Sequence, residues 1–419
     1  NMTMSTCIVS NNFSGQGMDG SMPFGFNIIY LLGGFGGAGG NGGGIYNNGQ
    51  CRLNFITIGY NGSGNGGNGT WGVGGGNGGT AGNGSGIFNS GLLNLNTCTV
   101  SGNFCGSGGI GGGAWYWGTA GTGGNGGNGG GIYNAGSFTL ISCTVALNMA
   151  GVGGNAGNDT AGYISAAAAG GAGGCGGGIL NETSVTNAIV LNTLIALNTA
   201  NAGGAGGTSY YNDMSYTGVS GSNGFGFDLV GNFASQGYNL VGMTDINSTG
   251  FTNGVNADQV GSNASPIDPL LGPLQMNGGF TPTCALLWGS PAIDQGNCFG
   301  IHRDQRGHRR PYSYPSVRKP LGGDGSDIGA FELDSLRVPP LLWNLKMWTS
   351  NSKFDTQSKC FGFTVSGTSN QVIVVEACTN LANPLWTPIQ TNTLIGGSSD
   401  LDDPQWTNFP SRYYRVRSP

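Results

Sequence analysis

The residues of this chain that are best suited to chemistry lie close together, in one stretch of its last third. RDQRGHRRP (residues 303–311), DIGAFE (327–332) and the residue before the first segment contain arginine, aspartate and both histidines, His302 and His308. Such a set is compatible with an acid–base site. The spacing shows no nucleophile beside a base, so we favour Arg–carboxylate pairs that cap the end of a fold. The predicted members are Asp294, Asp304, Arg306, Arg309, Arg310 and Asp327.

Elsewhere the chain offers few groups for catalysis. Residues 1–302 contain nine acidic residues, which occur singly, and one basic residue, Arg52. Enzymes of the pectin-lyase type use Arg or Lys as the base and clustered carboxylates for calcium, and inverting glycosidases need two facing carboxylates. The histidines and cysteines lack the spacing of a metal site. We therefore predict no catalytic residue, no metal and no cofactor.

The elements that would position any site are repeats of one unit, of which residues 129–148 (GGGIYNAGSFTLISCTVALN) are a copy. Its opening phrase recurs around Ile45, Ile87, Ile132 and Ile179, and a C-x-V-x-x-N phrase follows each opening. The asparagine of that phrase recurs at steps of 49, 42, 45 and 50 residues, a period typical of solenoids, propellers and arrays. Alternating residues within the unit indicate short strands, without helical periodicity.

Short strands with the same residue at equivalent positions favour a parallel β-helix over a propeller, whose blades need four strands. Equivalent side chains then form columns through successive coils. We predict an all-β chain with a right-handed parallel β-helix over residues 1–260, followed by terminal coils and a cap (261–333). The predicted columns are Cys7, Ile56, Cys98, Cys143 and Thr193; Val9, Ile58, Val100, Val145 and Ile195; and Asn12, Asn61, Asn103, Asn148 and Asn198.

Long glycine-rich insertions separate the strands, at residues 33–44, 62–86, 106–131 and 151–178. One interpretation is a flexible linker. Because several insertions read in triplets such as GGNGGNGGG, we favour an extended left-handed helix with three residues per turn. In it, glycine would let neighbouring backbones approach and bond. Two insertions carry aromatic residues that either cover the glycine layer or bind sugars or a neighbouring subunit: Trp71, Trp115, Tyr116 and Trp117.

The end of the chain has a different character. Residues 334–345 include two consecutive prolines and are predicted to be a linker, and residues 346–419 alternate short strands with turns, which indicates a small antiparallel β-sandwich. Cys360 and Cys378 fall on adjacent predicted strands, so we predict a disulfide there, with two buried thiols as the alternative. Cys98 and Cys143 lie within bridging range in successive coils, but a column of free thiols is also compatible.

Three blocks resemble a known family, namely residues 268–297 (DPLLGPLQMNGGFTPTCALLWGSPAIDQGN), RDQRGHRRP and DIGAFE. With the GGGIYN and CTVSGN phrases, they are similar to the choice-of-anchor Q proteins, which are secreted bacterial right-handed parallel β-helices, over about residues 1–333. The family implies a surface or secreted location and no established catalytic residue. Cys284 departs from its usual histidine, and with Cys298 nearby we expect a disulfide between the two. Residues 346–419 resemble a C-terminal module of secreted proteins from Verrucomicrobia-type bacteria.

Composition also bears on location and partners. Residues 1–302 carry a net charge of -8 and residues 303–419 carry +3, without the basic stripe of a nucleic-acid-binding protein. No apolar run is long enough to cross a bilayer, and no signal peptide is present, which we interpret as its removal. Ten cysteines in a chain with few charges favour an extracellular location, since disulfides persist there.

Three functions are compatible with these features. The first, which we favour, is a non-enzymatic structural protein of the cell surface that forms fibres or filaments by head-to-tail self-association, either through open β-helix ends or through the C-terminal module. The second is an adhesin that binds a cell-surface glycan, or even ice, through the aromatic insertions or the glycine layer. The third is a polysaccharide lyase or hydrolase, which the scattered acids disfavour.

Overall fold

The computed structural model describes residues 1–21, 32–115, 118–160, 167–212, 214–334, 346–348, 361–366, 372–380, 385–395, 398–403 and 405–417. The chain separates into two compact units, Asn1–Glu332 and Leu333–Pro419. The first unit contains the repeats, and the second contains the C-terminal module.

The first unit passes through three short strands in each coil. Coil by coil, the strands are β1 (Met2–Ser5), β2 (Ile8–Ser10) and β3 (Ile45–Asn47); β4 (Gln50–Asn54), β5 (Thr57–Gly59) and β6 (Ile87–Asn89); β7 (Leu92–Asn96), β8 (Thr99–Ser101) and β9 (Ile132–Asn134); β10 (Ser137–Ile141), β11 (Thr144–Ala146) and β12 (Ile179–Asn181); β13 (Ala188–Leu191), β14 (Leu194–Ala196), the hairpin β15 (Thr208–Tyr211) and β16 (Met214–Thr217), and β17 (Leu229–Asn232); then β18 (Ala234–Ser235), β19 (Leu240–Thr244), β20 (Ser248–Thr249) and β21 (Gln259–Ser262).

Apart from the antiparallel hairpin β15–β16, the strands pair in parallel with their equivalents in the neighbouring coils, which gives three stacked sheets. The first sheet has the order β1-β4-β7-β10-β13-β18, the second β2-β5-β8-β11-β14-β19-β21, and the third β3-β6-β9-β12-β17-β20. A 3-10 turn at Val255–Ala257 precedes β21. The expectation of an all-β chain with stacked parallel strands, in the manner of a parallel β-helix, is confirmed.

The corners of each coil are made by residues with positive φ, which L-amino acids other than glycine adopt rarely. Glycine makes the corner before the third sheet, which explains the glycines that precede each repeated isoleucine. Apart from Gly102, residues with side chains take this conformation at the other two corners, where the paired strands on either side hold them. The three columns are Thr6, Phe55, Thr97, Ser142, Asn192 and Tyr238; Asn11, Tyr60, Gly102, Leu147 and Leu197; and Gly42, Gly84, Gly129, Gly176 and Gly226.

The core of the first unit consists of columns of identical or similar apolar side chains. In the second sheet Val9 pairs with Ile58, Ile58 with Val100, Val100 with Val145, and Val145 with Ile195. Cys98 and Cys143, which follow the corner residues Thr97 and Ser142, are fully buried in the same core. Because burial of one Val or Ile side chain contributes about 1.5–3 kcal/mol, a column of this kind stabilises every coil it crosses.

The glycine-rich insertions leave the coil after the second sheet and return before the third, so we call them fins. In the second coil the outgoing leg is residues 62–72 and the returning leg residues 74–86. Backbone hydrogen bonds join the legs of one fin, and join each leg to the next fin, at every third residue. Examples are Gly76 N–H to Thr70 O, Gly79 to Gly67 and Gly82 to Gly64 within a fin, and Gly66 to Ser107, Gly69 to Ile110, Gly75 to Thr119 and Gly78 to Thr122 between fins, at 2.8–3.0 Å.

Glycine is required in the fins because the backbones lie closer together than a side chain permits. A Cβ placed on Gly67 would lie 2.0 Å from Met18 O, one on Gly109 1.9 Å from Gly67 O, and one on Gly154 2.0 Å from Gly109 O. The third residue of many triplets is asparagine, whose side-chain oxygen accepts a backbone N–H of the next fin. Such bonds run from Ser107 to Asn65, Ile110 to Asn68, Thr122 to Asn77 and Asn128 to Asn83, at 2.8–2.9 Å.

After the last coil, the chain turns back and covers the outer face of the second sheet. This segment, residues 271–332, begins with the antiparallel pair β22 (Leu271–Gln275) and β23 (Thr283–Leu286). All three residues of β5, β8, β11 and β14 are buried, whereas strands of the other two sheets alternate buried and partly exposed positions. A parallel sheet covered on both faces is expected to have this burial pattern.

The second unit consists of two antiparallel three-stranded sheets. One has the order β24 (Lys346–Trp348), β25 (Phe361–Ser366), β28 (Ser398–Asp403), and the other β27 (Thr387–Thr393), β26 (Val372–Cys378), β29 (Tyr413–Arg417). A 3-10 turn lies at Trp406–Asn408. Val365 of the first sheet and Ile373 and Val375 of the second share one buried cluster with Leu394.

Candidate functional site

A column of asparagine side chains is the longest polar structure in the coil. Asn12 Nδ2 donates to Asn61 Oδ1, and the same bond links Asn61 to Asn103, Asn103 to Asn148 and Asn148 to Asn198, each at 2.9 Å. Each side-chain oxygen also accepts the backbone N–H of the preceding asparagine, at 3.0–3.1 Å. The amides therefore satisfy one another, which is what permits four of these five polar side chains to be buried.

A second asparagine column crosses the third sheet, and a mixed column follows the first corner. In the second column Asn47 donates to Asn89, Asn89 to Asn134 and Asn134 to Asn181, at 2.6–2.7 Å. In the mixed column Cys143 N–H donates to Thr193 Oγ1, and Thr193 N–H to Asn239 Oδ1, at 3.2 and 2.9 Å. The repeats thus direct their amides to the next coil rather than to an open cleft.

Two of these columns end on a buried carboxylate. Asn198 donates its N–H and its side-chain amide to Asp228 Oδ1, and Asn239 donates the same two groups to Asp258 Oδ1. Burial raises the pKa of Asp228 to about 6, against the opposing effect of the bonds from Asn198. Burial also raises the pKa of Asp258. A carboxylate suits the end of such a column because, when ionised, it accepts hydrogen bonds and has no N–H left to satisfy.

The cysteines do not form the disulfides that the sequence predicts. Cys284 and Cys298 are both free, and Cys284 Sγ donates to Ser101 Oγ on the second sheet at 3.5 Å. Cys378 is also free, and its predicted partner Cys360 lies outside the described residues. Cys284 is on β23, which packs against the coil, and this contact rather than a bridge accounts for its burial. Cys98 and Cys143 are likewise free thiols in successive coils.

The ionic residues of the RDQRGHRRP and DIGAFE segments form a buried cluster. Arg306 pairs with Asp304 at 2.7 Å and Arg310 pairs with Glu332 at 2.8 Å, with all four side chains inaccessible to solvent. The Arg306 guanidinium also lies 3.7 Å from the centre of the Phe331 ring. Burial raises the pKa of Glu332, while Arg310 and the N–H groups of Tyr312 and Asp327 favour its ionised form.

The position of this cluster corrects the prediction of an end cap with terminal coils over residues 261–333. Gln305 bonds Thr57 and Thr99, and Ala330 N–H donates to Thr144 Oγ1. These threonines form one outward column of the second sheet. The cluster therefore holds a cover along the side of the coil. Of the predicted members Arg309 is exposed, and Glu332, which was not among them, is the partner of Arg310.

The carboxylates of the cluster accept hydrogen bonds from backbone N–H groups. Asp294 N–H donates to Asp327 Oδ1, Asp327 N–H to Glu332 Oε2 and Glu332 N–H to Asp304 Oδ2, at 2.8–3.1 Å. The backbone N–H of His308 also donates to Asp304. The arrangement is that of a structural brace.

The aromatic residues of the fins lie near the fin tips. Trp71 and Trp115 stack with ring centres 6.4 Å apart, and they are 42% and 36% exposed. A Cβ on Gly113 would lie 2.6 Å from the Trp71 ring, so this ring covers a glycine of the next fin. The hairpin β15–β16 lies in the equivalent insertion of the fifth coil, between β14 and β17, and adds the exposed Tyr210 and Tyr211. Tyr116 and Trp117 lie outside the described residues.

Several important residues were missed by reading the sequence. Asp228 and Asp258 stand where the columns end and an asparagine would otherwise follow. This change from asparagine to aspartate is the feature of the sequence that could have indicated them. Gly59, Ser101, Ala146 and Ala196 are small outward residues of the second sheet, which is a signal that something packs on them closely. A Cβ on Gly59 would lie 2.8 Å from Leu274.

Within the described ranges, no three His, Cys, Asp or Glu side chains are grouped so that they could hold a metal ion. Among the helices in these ranges, none has the length and apolar character to span a membrane. No protein-family model, curated protein or solved structure matches the chain.

Proposed function

We propose that this chain is a non-enzymatic structural protein of the cell surface or extracellular space, built as a rigid scaffold. The observation that supports this most directly is the continuity of its hydrogen-bonded columns. The amides of Asn12 to Asn198 and the backbones of the fins bond from each coil to the next. The polar groups of the repeats are thus used to join coils, and bending the unit would break many bonds together.

Three finer features belong to the same proposal. The coil is right-handed, as in the choice-of-anchor Q proteins that the sequence resembles. The fin legs are extended left-handed helices, an interpretation supported by the three-residue period of their backbone hydrogen bonds. The sheets of the second unit form a β-sandwich, supported by the buried cluster to which both contribute. The extracellular location is supported by the resemblance and the low charge; the nine described cysteines are free and do not add to it.

Assembly into fibres or filaments is the part of this proposal that is most easily tested. The first unit, residues 1–332, has a net charge of -6 and residues 333–419 have +1, so head-to-tail contacts between copies would bring opposite charges together. We expect electron microscopy and light scattering of the purified chain to show assemblies whose size increases with concentration and decreases with salt. Monomeric particles at all concentrations and salt conditions would refute assembly, and a crystal structure with an occupied active site would refute the structural role.

Glycan binding at the fin tips is a second candidate function, favoured by the exposed, stacked Trp71 and Trp115. Aromatic rings provide the apolar contact surface on which sugars are held. On a glycan array, Trp71→Ala and Trp115→Ala should each lose retention, whereas Tyr46→Ala should not. Tyr46 is a suitable control because it is 56% exposed and stacks on Phe88 on a different face of the coil. Retention that none of these substitutions changes would exclude the fin tips.

A further inference from the structure

A pocket at the last coil is lined by carboxamide and apolar side chains. It has a volume of about 620 Å³, within the range of small-molecule sites. One wall comes from the corner at Tyr238 and from the loop before β21, and the other comes from the covering segment, at Gln295, Phe299 and Leu321. Five of its residues are carboxamides, so we call it the carboxamide pocket: Gln236, Asn253, Asn256, Gln259 and Gln295.

The apolar wall of the pocket is held in place by its own contacts. The rings of Tyr238 and Phe299 meet edge to face with centres 5.7 Å apart. The Tyr238 hydroxyl donates to Leu321 O at 2.9 Å, which ties the coil to the covering segment at this point. Phe299 is 45% exposed, so an apolar ring surface remains open to a ligand. This wall needs no rearrangement before it binds.

Four of the five carboxamides are bonded to the protein through one polar atom, and their remaining polar atoms suit a hydroxyl group. Gln259 Nε2 donates to Pro291 O at 2.8 Å and Gln295 Nε2 to Arg318 O at 2.7 Å, while neither Oε1 accepts a bond from the described residues. Asn253 Oδ1 accepts Val260 N–H at 3.1 Å, which leaves its Nδ2 to donate. The pocket thus offers both fixed acceptors and fixed donors, and a hydroxyl group can use both.

The pocket offers no free charge to a ligand. Asp258 is its one carboxyl group, and that group is 3% exposed and is bonded by Ser235 Oγ and by the N–H and side-chain amide of Asn239. The pocket has neither lysine nor arginine in its lining. An ionic ligand would therefore lose its hydration without gaining a counter-charge, which is costly.

From these contacts we propose that the carboxamide pocket binds a neutral saccharide, with the apolar face of a sugar ring on Phe299 and Tyr238 and its hydroxyls on the carboxamides. This function goes beyond the structural role proposed above and does not depend on it. The pocket is formed by residues other than those of the fin tips, so the two candidate glycan surfaces are separable by mutation.

The test uses the full chain, an array of neutral and acidic oligosaccharides, and calorimetric titration of each glycan retained. Tyr238→Asn removes a ring and keeps the turn, because Asn192 has the same positive-φ corner in the preceding coil. Asn256→Gly removes a carboxamide at a residue whose φ of 53° glycine adopts easily. We expect each substitution to weaken binding of a neutral glycan at least tenfold.

Matched variants distinguish this pocket from other sites. Phe55→Asn makes the same ring-to-amide change at the same corner of the second coil, outside the pocket, and should leave affinity within twofold. Trp115→Ala should do the same. Circular dichroism of each variant checks that the coil is intact. The proposal is overturned if the array retains no neutral glycan, if it retains acidic glycans alone, or if Tyr238→Asn and Asn256→Gly both bind as the parent does.

Discussion

Asn198 donates its backbone N–H and its side-chain amide to the same oxygen of Asp228, at 3.0 and 2.9 Å. The asparagines before it in this column make the same two bonds to the amide oxygen of the following coil. From the second coil on, the side-chain amide also donates back to a backbone carbonyl of the preceding coil. The side chain at the end of the column must accept these hydrogen bonds, and it has no further amide oxygen to which it could donate. An aspartate at that position completes the column, and it makes the stability of the coil dependent on pH.

Stability should fall as pH rises through the acidic range. The pKa of Asp228 is raised by burial to about 6 from an ordinary value of 3.8, so the folded state favours the protonated form. Its contribution is complete below about pH 4 and is lost as pH rises to about 6. Since one pKa unit corresponds to about 1.4 kcal/mol, the loss is on the order of 3 kcal/mol. Urea unfolding at a series of pH values measures it.

Asp228→Asn is the matched variant for this experiment, because asparagine keeps the accepting oxygen and does not titrate. Its unfolding free energy should change less between pH 4 and pH 6 than that of the parent. Some dependence will persist, because burial raises the pKa of Asp258, Asp294 and Glu332 as well. Parallel pH profiles for the two proteins would show that Asp228 is not the group responsible.

The buried ion pairs should matter more than their exposed neighbour. Arg310→Met leaves Glu332 buried without its counter-charge and should lower the unfolding free energy by about 3–5 kcal/mol. Arg309→Met, one residue away and exposed, should change it by less than about 0.5 kcal/mol. Chemical denaturation of both variants measures the difference. Equal effects would mean that the segment is held by its backbone rather than by the pair.

The coil was predictable from the sequence because residues that pair in register are of the same or a similar type in successive coils. Val9, Ile58, Val100, Val145 and Ile195 recur at the loop-adjusted period, and each is the register partner of the next. A buried column admits few side-chain shapes, so the same residue types return at each coil. The asparagine columns were predictable for the same reason. Within a column, each side-chain amide bonds to a group that both donates and accepts, and another asparagine meets this requirement.

The covering segment and its cluster were not predictable in the same way. Gln305 meets Thr57 over a separation of 248 residues, and no periodicity connects the two. Arg309 and Arg310 are adjacent and chemically identical, so the sequence alone does not tell which one is buried. The disulfide predicted between Cys284 and Cys298 is wrong because proximity in sequence did not show that Cys284 faces Ser101 of the second sheet.

The core thiols should be unreactive until the coil unfolds. Cys98 is fully buried, its Sγ donates to Asn96 O at 3.1 Å, and burial raises its pKa well above the ordinary value. The reactive thiolate form of Cys98 is therefore both weakly populated and inaccessible to reagents. Alkylation of the native protein followed by mass spectrometry should modify Cys175, which is only partly buried, well before Cys98 or Cys143. A disulfide-linked Cys98–Cys143 peptide in unreduced protein would contradict this.

Replacing a glycine of the fins by alanine should lower the unfolding free energy strongly where the new methyl group meets a neighbouring fin, and little where it does not. In Gly109→Ala the new Cβ would lie 1.9 Å from Gly67 O, and one fin cannot shift away without breaking bonds to both neighbours. We expect a loss of about 3 kcal/mol or more. Gly15→Ala is the matched control, because Gly15 lies in the first fin and a Cβ there meets nothing within 4 Å. Its effect should be under about 0.5 kcal/mol. If thermal unfolding of the two variants is the same, the fins are not packed as closely as their hydrogen bonds require.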